Sequence, residues 1–219
     1  MMKKIILAAI ASTVFAIGAM AQYRPSVIVS AGYQGANISG FDKSKIASGA
    51  RAGVALDFGV LNTGAMELSI QPGLNFSMKG FSYGEKESYK NSLYYVDLPI
   101  LANLRFGVTD GLNAFVNAGP YLAYGVGGSA KYDDKTEKTN PFKETTIAGK
   151  SFRAFNPFDW GLQVGAGLEY QRVMLSVGAQ FGLYDVTQNH TFDFPIFGQK
   201  TFGETNKNSA FFVTAGYRF

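Results

Sequence analysis

The sequence predicts an all-β fold: an eight-stranded antiparallel transmembrane β-barrel with up-and-down meander connectivity. Three observations carry this. Eight segments alternate in polarity with the two-residue period of a strand. Charge gathers on one face of those segments while the other face is apolar, and the links between them alternate short and long. Lipid outside and polar groups inside is the arrangement that a spanning barrel requires, because a water-soluble barrel would carry its charge outside.

Met1 to Ala21 has the plan of a secretory signal peptide. Lys3 and Lys4 form a basic start, Ile5 to Ile17 is apolar apart from Ser12 and Thr13, and Ala19-Met20-Ala21 supplies small residues for cleavage. The stretch is short for a membrane span. The expected mature domain is 22–219. No Cys follows the cleavage site, so no lipoprotein is expected, and with no Cys in the chain no disulfide is available.

Past the leader, no segment reaches the roughly 18 uninterrupted apolar residues of a membrane helix. The chain has 26 Gly, 19 Phe and 12 Tyr, and 16% charged residues. That charge is low for a soluble domain, where about a quarter is usual. Removing Lys3 and Lys4 leaves a formal charge of +2 from 18 basic and 16 acidic residues. Such a small, dispersed excess predicts no nucleic-acid partner.

The strands are predicted at 25–37, 49–59, 66–80, 92–106, 112–127, 157–171, 173–187 and 208–219. In the second, Ala52, Val54, Leu56 and Phe58 oppose Arg51, Gly53, Ala55 and Asp57. The third sets Leu68, Ile70, Leu74, Phe76 and Met78 against Glu67, Ser69, Gln71, Asn75 and Lys79. The sixth sets Trp160, Leu162, Val164, Leu168 and Tyr170 against Asp159, Gln163, Glu169 and three glycines. Val173, Leu175, Val177 and Phe181 of the seventh oppose Met174, Ser176, Gly178 and Gln180. The last alternates Phe211, Val213, Ala215, Tyr217 and Phe219 with Phe212, Thr214, Gly216 and Arg218.

Short turns are expected at 60–65, 107–111 and around Arg172, and longer links at 38–48, 81–91, 128–156 and 188–207. Short periplasmic turns and long outer loops put both mature ends in the periplasm. Trp160, Phe76, Tyr94, Tyr124 and Phe211 then form an outer aromatic belt, and Phe58, Phe106, Tyr170, Tyr217 and Phe219 a periplasmic one. Eight strands leave an interior that side chains just fill, so no general pore is expected.

Tyr94-Tyr95-Val96-Asp97-Leu98-Pro99-Ile100-Leu101 resembles a segment of the PorT-like outer-membrane β-barrel family of Bacteroidota. The resemblance implies an outer-membrane location with lipid and lipopolysaccharide as surroundings. One branch of that family serves type IX protein secretion, which implies an envelope protein partner. Terminal Tyr217-Arg218-Phe219 is similar to the signature by which the barrel assembly machinery recognises its clients, so Tyr217 and Phe219 are the expected assembly signal.

Nine charges are placed in the lumen: Arg51, Asp57, Glu67, Lys79, Asp97, Arg105, Asp159, Glu169 and Arg218. They make either a polar path or, as is favoured, a network of ion pairs that plugs the interior, since buried charge must be paired. Pro72, Pro99 and Pro120 interrupt strands of a wall that has no edge, although proline lacks the ladder donor. Counted from the turns they share one level. β-Bulges bending the wall are the favoured account; the rival is a weakened seam that admits a hydrophobic ligand, which looks like the wall gaps of lipid A palmitoyltransferases. His190, the single histidine, stands near Asp193 in the last outer link and reads as a solvated loop residue rather than a general base. Glycines 125, 127 and 128, and those from 161 to 167, sit in strands without a following helix and serve packing, not phosphate binding. Link 128–156 is mixed in charge, expected to lie in solvent or to present a partner surface. No catalytic, cofactor or metal site is expected, and the predicted role is structural or interactive, with solute or hydrophobic-ligand transport and lipid modification as the alternatives.

Overall fold

The structure, a computed structural model, describes residues 25–38, 45–83, 89–132, 135–143, 145–147, 150–152, 155–186, 191–194, 198–201 and 206–219. The predicted leader and His190 lie outside the described residues. Strands account for nearly all of the described chain: β1 (Ser26–Ile38), β2 (Lys45–Asn62), β3 (Met66–Tyr83), β4 (Tyr89–Thr109), β5 (Leu112–Tyr132), β6 (Lys135–Thr139), β7 (Thr145–Ile147), β8 (Lys150–Phe152), β9 (Phe158–Tyr170), β10 (Val173–Gly182), β11 (Thr191–Phe194), β12 (Gly198–Thr201) and β13 (Asn208–Arg218).

Eight of these form the wall, in the order β4-β3-β2-β1-β13-β10-β9-β5, and pairing of β5 with β4 closes the ring. Every pairing is antiparallel. First and last strands meet from Ile28↔Arg218 to Ile38↔Asn208, and the Phe219 N–H donates to the Val27 carbonyl at 2.9 Å. Closure leaves no edge, which is what hydrocarbon demands of a sheet. The five remaining strands lie in the long links, where β6 pairs with the end of β5, β7 with β8, and β11 with β12.

The three short turns have local causes. Gly64 takes a φ of 82° and Gly111 one of 77°, which L side chains adopt reluctantly. Gln171 does so at 56° in the third turn, where its N–H reaches the Gly111 carbonyl at 2.6 Å. Adjacent turns thus tie together at the short-turn end.

Strand facing follows the alternation. Leu162, Leu168, Val173, Leu175, Val177 and Phe181 are each at least half exposed, whereas Asp97, Asp159, Ser69 and Ser77 are wholly buried. The belt rings Trp160, Phe76, Tyr124, Phe211, Phe106, Tyr170, Tyr217 and Phe219 are exposed. Phe58 departs from this: it keeps the outward register opposite Ile70 but is 6% exposed, so it adds no open ring to its rim.

Strand ends differ from expectation at the long-link end. β4 and β5 each run 21 residues, about twice the 9–11 that a tilted spanning strand needs. Their upper parts pair with each other to Tyr89↔Tyr132, which extends them past the belt. β10 instead stops at Gly182, short of the expected 187, because Val186 turns inward to complete burial. Its N–H donates to Asn206 O at 2.9 Å and its carbonyl accepts from Asn156 N–H at 2.8 Å.

Link 128–156 was expected in solvent; Phe142 and Phe155 contradict that, each 6% exposed. They join Ile38, Phe81, Leu93, Tyr95, Tyr121, Ala123 and Val186 in an apolar cluster that fills the upper mouth. Phe155 N–H donates to Pro141 O at 3.1 Å, holding the two segments together. Lys143 stays exposed, and most of the link's other charges lie outside the described side chains.

Candidate functional site: the lumen charge tiers and the proline level

Below the apolar mouth lies a tier of two cations and two anions. Arg51 Nη1 meets Asp97 Oδ2 at 3.2 Å, and Lys79 Nζ lies 3.5 Å from Asp97 Oδ1 and 3.3 Å from Asp159 Oδ2. All four side chains are at most 4% exposed. Charge alone would not hold them in a narrow interior, since desolvation opposes each ion and must be met by added hydrogen bonds.

Those bonds come from around the ring. Ser77 Oγ donates to Asp97 Oδ2 at 2.9 Å, and Gln180 Nε2 donates to the same oxygen at 3.2 Å. Arg51 Nη2 donates to Gln163 Oε1 at 3.0 Å and Nη1 to Gln34 Oε1 at 3.4 Å. Asn208 Nδ2 and Tyr121 Oη donate to Asp159 Oδ2 at 3.0 and 3.3 Å. Lys79 also sits over the rings of Tyr95 and Tyr121, 5.0 and 4.6 Å from their centroids, and Arg51 over Phe212 at 4.6 Å. Each of the eight wall strands therefore sends at least one side chain into this cross-section: Gln34, Arg51, Lys79, Asp97, Tyr121, Asp159, Gln180 and Asn208 in chain order.

Beneath the tier is a cavity of about 100 Å³, bordered by Arg51, Gln71, Asn117 and Gln163, with room for a few water molecules. Ile28, Phe115 and Met174, packed against Ala55, close it from below. The second charge tier follows at the short-turn end. Arg105 contacts Asp57 at 3.0 Å, Glu67 at 3.1 Å and Glu169 at 3.5 Å. Arg218 pairs with Asp57, and with Glu169 at 3.3 Å. Asp57, Glu67, Arg105 and Arg218 border a hollow of about 210 Å³, and Glu67 is 28% exposed there, so this tier meets solvent.

All nine sequence-predicted lumen charges are thus inside, sorted into two tiers. Of the uncharged members, the alternation places Gln163 and Gln180 on the polar face, whereas Gln34, Asn208, Tyr95 and Tyr121 are not singled out by the sequence. Their signal was the inward phase of their strands, which Tyr95 shares with Asp97 and Tyr121 with Gly119 and Ala123. The hydroxyls of Ser176 and Thr214 bond each other inside the wall at 2.7 Å. The terminal residues divide their work: Tyr217 and Phe219 stack edge-on outside, ring centroids 4.8 Å apart, while Arg218 bolts the strand inside.

The prolines are not bulges. Register shifts fall between Ile46 and Arg51, Gly59 and Leu61, Tyr94 and Tyr95, and Gly107 and Thr109, none of them at a proline. Each proline instead leaves a break in one ladder with the register kept. Pairing of β2 with β3 passes from Ala55↔Gly73 to Phe58↔Ile70, skipping Pro72. Pairing of β3 with β4 passes from Pro72↔Ile100 to Asn75↔Asp97, skipping Pro99, and pairing of β4 with β5 from Pro99↔Tyr121 to Ala102↔Ala118, skipping Pro120. On the other side each proline is paired, Pro72 with Ile100, Pro99 with Tyr121 and Pro120 with Leu162. The missing donor accounts for the one-sidedness. At these breaks the wall holds an apolar cleft of about 600 Å³.

Residues 20–188 match the family model described as outer membrane protein beta-barrel domain. β13, which closes the ring, lies beyond the matched span. Among solved structures the chain is similar to the outer-membrane enzyme PagL at 12% identity, covering 87% of this chain and 98% of that one with a TM-score of 0.46. It is also similar to OprG of Pseudomonas aeruginosa (11% identity, 91% and 98% covered, TM-score 0.44) and to the attachment invasion locus protein Ail of Yersinia pestis (13% identity, 90% and 100% covered, TM-score 0.41). A search of curated proteins finds no match.

Proposed function

The chain belongs to the outer membrane β-barrel family, and from that premise we propose that it is a closed, non-conducting barrel with a structural or interaction role in the bacterial outer membrane. One observation carries the reading: every wall strand contributes to the buried upper tier, whose charges balance two against two. An ion entering the lumen would have to displace groups already paired on both sides, below a mouth filled by Phe142, Phe155 and Val186. Reconstitution in planar bilayers tests this. The expected record is baseline current, and stable open channels well above it would overturn the reading.

The finer parts rest on sequence. Met1 to Ala21 directs export and is removed, and the barrel assembly machinery reads Tyr217 and Phe219. The partners are lipid and lipopolysaccharide around the belt, and an envelope protein at the outer links; nucleic acid is not among them. The PorT-like segment of β4 also supports a source in Bacteroidota and a place beside the secretion apparatus. Tyr95, Asp97 and Pro99 of that segment belong to the upper tier and the wall break, so the resemblance falls on the part of β4 that builds the interior. Affinity capture from gently solubilised membranes tests it: secretion components are expected to copurify, and their absence removes the secretion role. No catalytic role is assigned. Loss of a lipid product on His190→Ala would reverse that.

A further inference from the structure

The proline level points beyond a closed barrel. Three neighbouring ladders break on one contiguous stretch of wall, and each break forgoes pairing inside the membrane, where no water replaces it. Such a concentration is unlike the four bulges, which are scattered over three strand ends and one upper wall position. The cleft there is apolar throughout its mouth, formed by Val54, Leu74, Leu98, Ile100 and Leu122. Its inner end is Ala55, Gly73 and Pro99, which also border the interior cavity.

We infer that this cleft is a binding slot for one acyl chain of a lipid in the outer leaflet of the surrounding membrane. Three features select that occupant. Position comes first: Pro120 lies four residues below the belt residue Tyr124, on the order of 10 Å along a tilted strand. That depth is reached by the distal part of a chain anchored at the outer surface. Continuity comes second, because the mouth opens directly onto the lipid-facing belt, with exposed Val54 and Leu74 at its lip. Size and lining come third. About 600 Å³ falls within the usual range for a small-ligand pocket, roughly 300–1,000 Å³, and no charged side chain lines it. Buried Pro99 and Tyr121 stand between the slot and the lumen, and the Tyr121 hydroxyl is held by Asp159. The slot therefore holds a chain in the wall and does not pass it to the lumen, which agrees with a non-conducting barrel.

Photolabelling tests this on the full mature barrel reconstituted with phosphatidylethanolamine carrying a diazirine either at the distal end of one acyl chain or beside its carbonyl. The distal probe is expected to label Leu74, Leu98, Pro99 and Leu122 at least five-fold more than Val177 and Val213, two exposed residues of the opposite wall, although Leu98 and Leu122 are half-buried and Pro99 is buried. The carbonyl-proximal probe should show no such preference. Even labelling around the belt with both probes overturns the slot, and so does crosslinking of this face to a second copy of the chain with loss of lipid label. Leu98→Trp fills the mouth and Pro99→Val restores a donor toward Gly73; either should return distal labelling to the belt average. Should Leu98→Trp fail to fold, Pro99→Val decides alone: amide protection gained around Gly73 with labelling unchanged would overturn the proposal. A channel seen in planar bilayers would refute the closed lumen without touching these labelling ratios.

Discussion

Replacing Asp97 removes the anion on which the upper tier turns. Its carboxylate receives Ser77 at 2.9 Å, Arg51 and Gln180 at 3.2 Å, and Lys79 at 3.5 Å, with no exposure to solvent. Asp97→Ala leaves Arg51 and Lys79, both buried, with Asp159 as the only anion of the tier. Breaking a buried pair by deleting one partner costs about 3–5 kcal/mol, since the orphaned charge keeps its desolvation cost without its attraction. Asp97→Asn retains shape and an acceptor oxygen but not the charge, and should still cost about 3 kcal/mol. The double variant Arg51→Met with Asp97→Leu removes one charge of each sign and leaves Lys79 with Asp159. It should be more stable than Asp97→Ala, with a coupling of about 2–3 kcal/mol between the two sites. Equilibrium urea unfolding in liposomes, followed through the single tryptophan Trp160, measures all of these. A cost below about 1 kcal/mol for Asp97→Asn, or strict additivity in the cycle, would mean that water already solvates the tier, and the closed-lumen reasoning would fail.

Three further outcomes follow from the same structure. Arg105→Ala strips a partner from Asp57, Glu67 and Glu169, but this tier is part-exposed, so the loss should be on the order of 1–3 kcal/mol and shrink at high salt; a cost equal to that of Asp97→Ala in the same unfolding assay would contradict the difference in burial. A Cβ on Gly125 would overlap the Phe142 ring, so Gly125→Ala should expel that ring, with faster amide exchange at 140–143 and a cost of about 1–3 kcal/mol; unchanged exchange would show the mouth to be loosely packed. Phe219→Ala should cut the amount of folded barrel in the outer membrane, read as heat-modifiable gel mobility, yet barely shift unfolding in liposomes because the ring is 65% exposed; normal assembly would remove its role as a signal.

Strand phase was legible residue by residue. Asp159 and Trp160 are neighbours in sequence with opposite fates, one wholly buried and one exposed, and a two-residue period alone assigns them. The same period put all nine lumen charges on the correct side. It failed where the chain leaves the regular wall. Phe142 and Phe155 read as link residues, and Val186 as the end of the seventh strand, because nothing local marks a side chain that turns back into the mouth. Phe58 has the outward phase and is nonetheless covered.

Alternation along one strand is a local property, set by backbone geometry, so the sequence by itself determined that this chain makes a lipid-facing, charge-filled barrel and which residues line it. Pairing across the lumen is not local. Arg51 and Asp97 are 46 positions apart, Lys79 and Asp159 80, and Asp57 and Arg218 161, and only the register of a closed ring decides that they meet in two separate tiers. The prolines divide in the same way. Their shared level could be counted from the turns, but whether each made a bulge or an unpaired break depended on which neighbour its missing N–H faced, and that is settled by strand order alone.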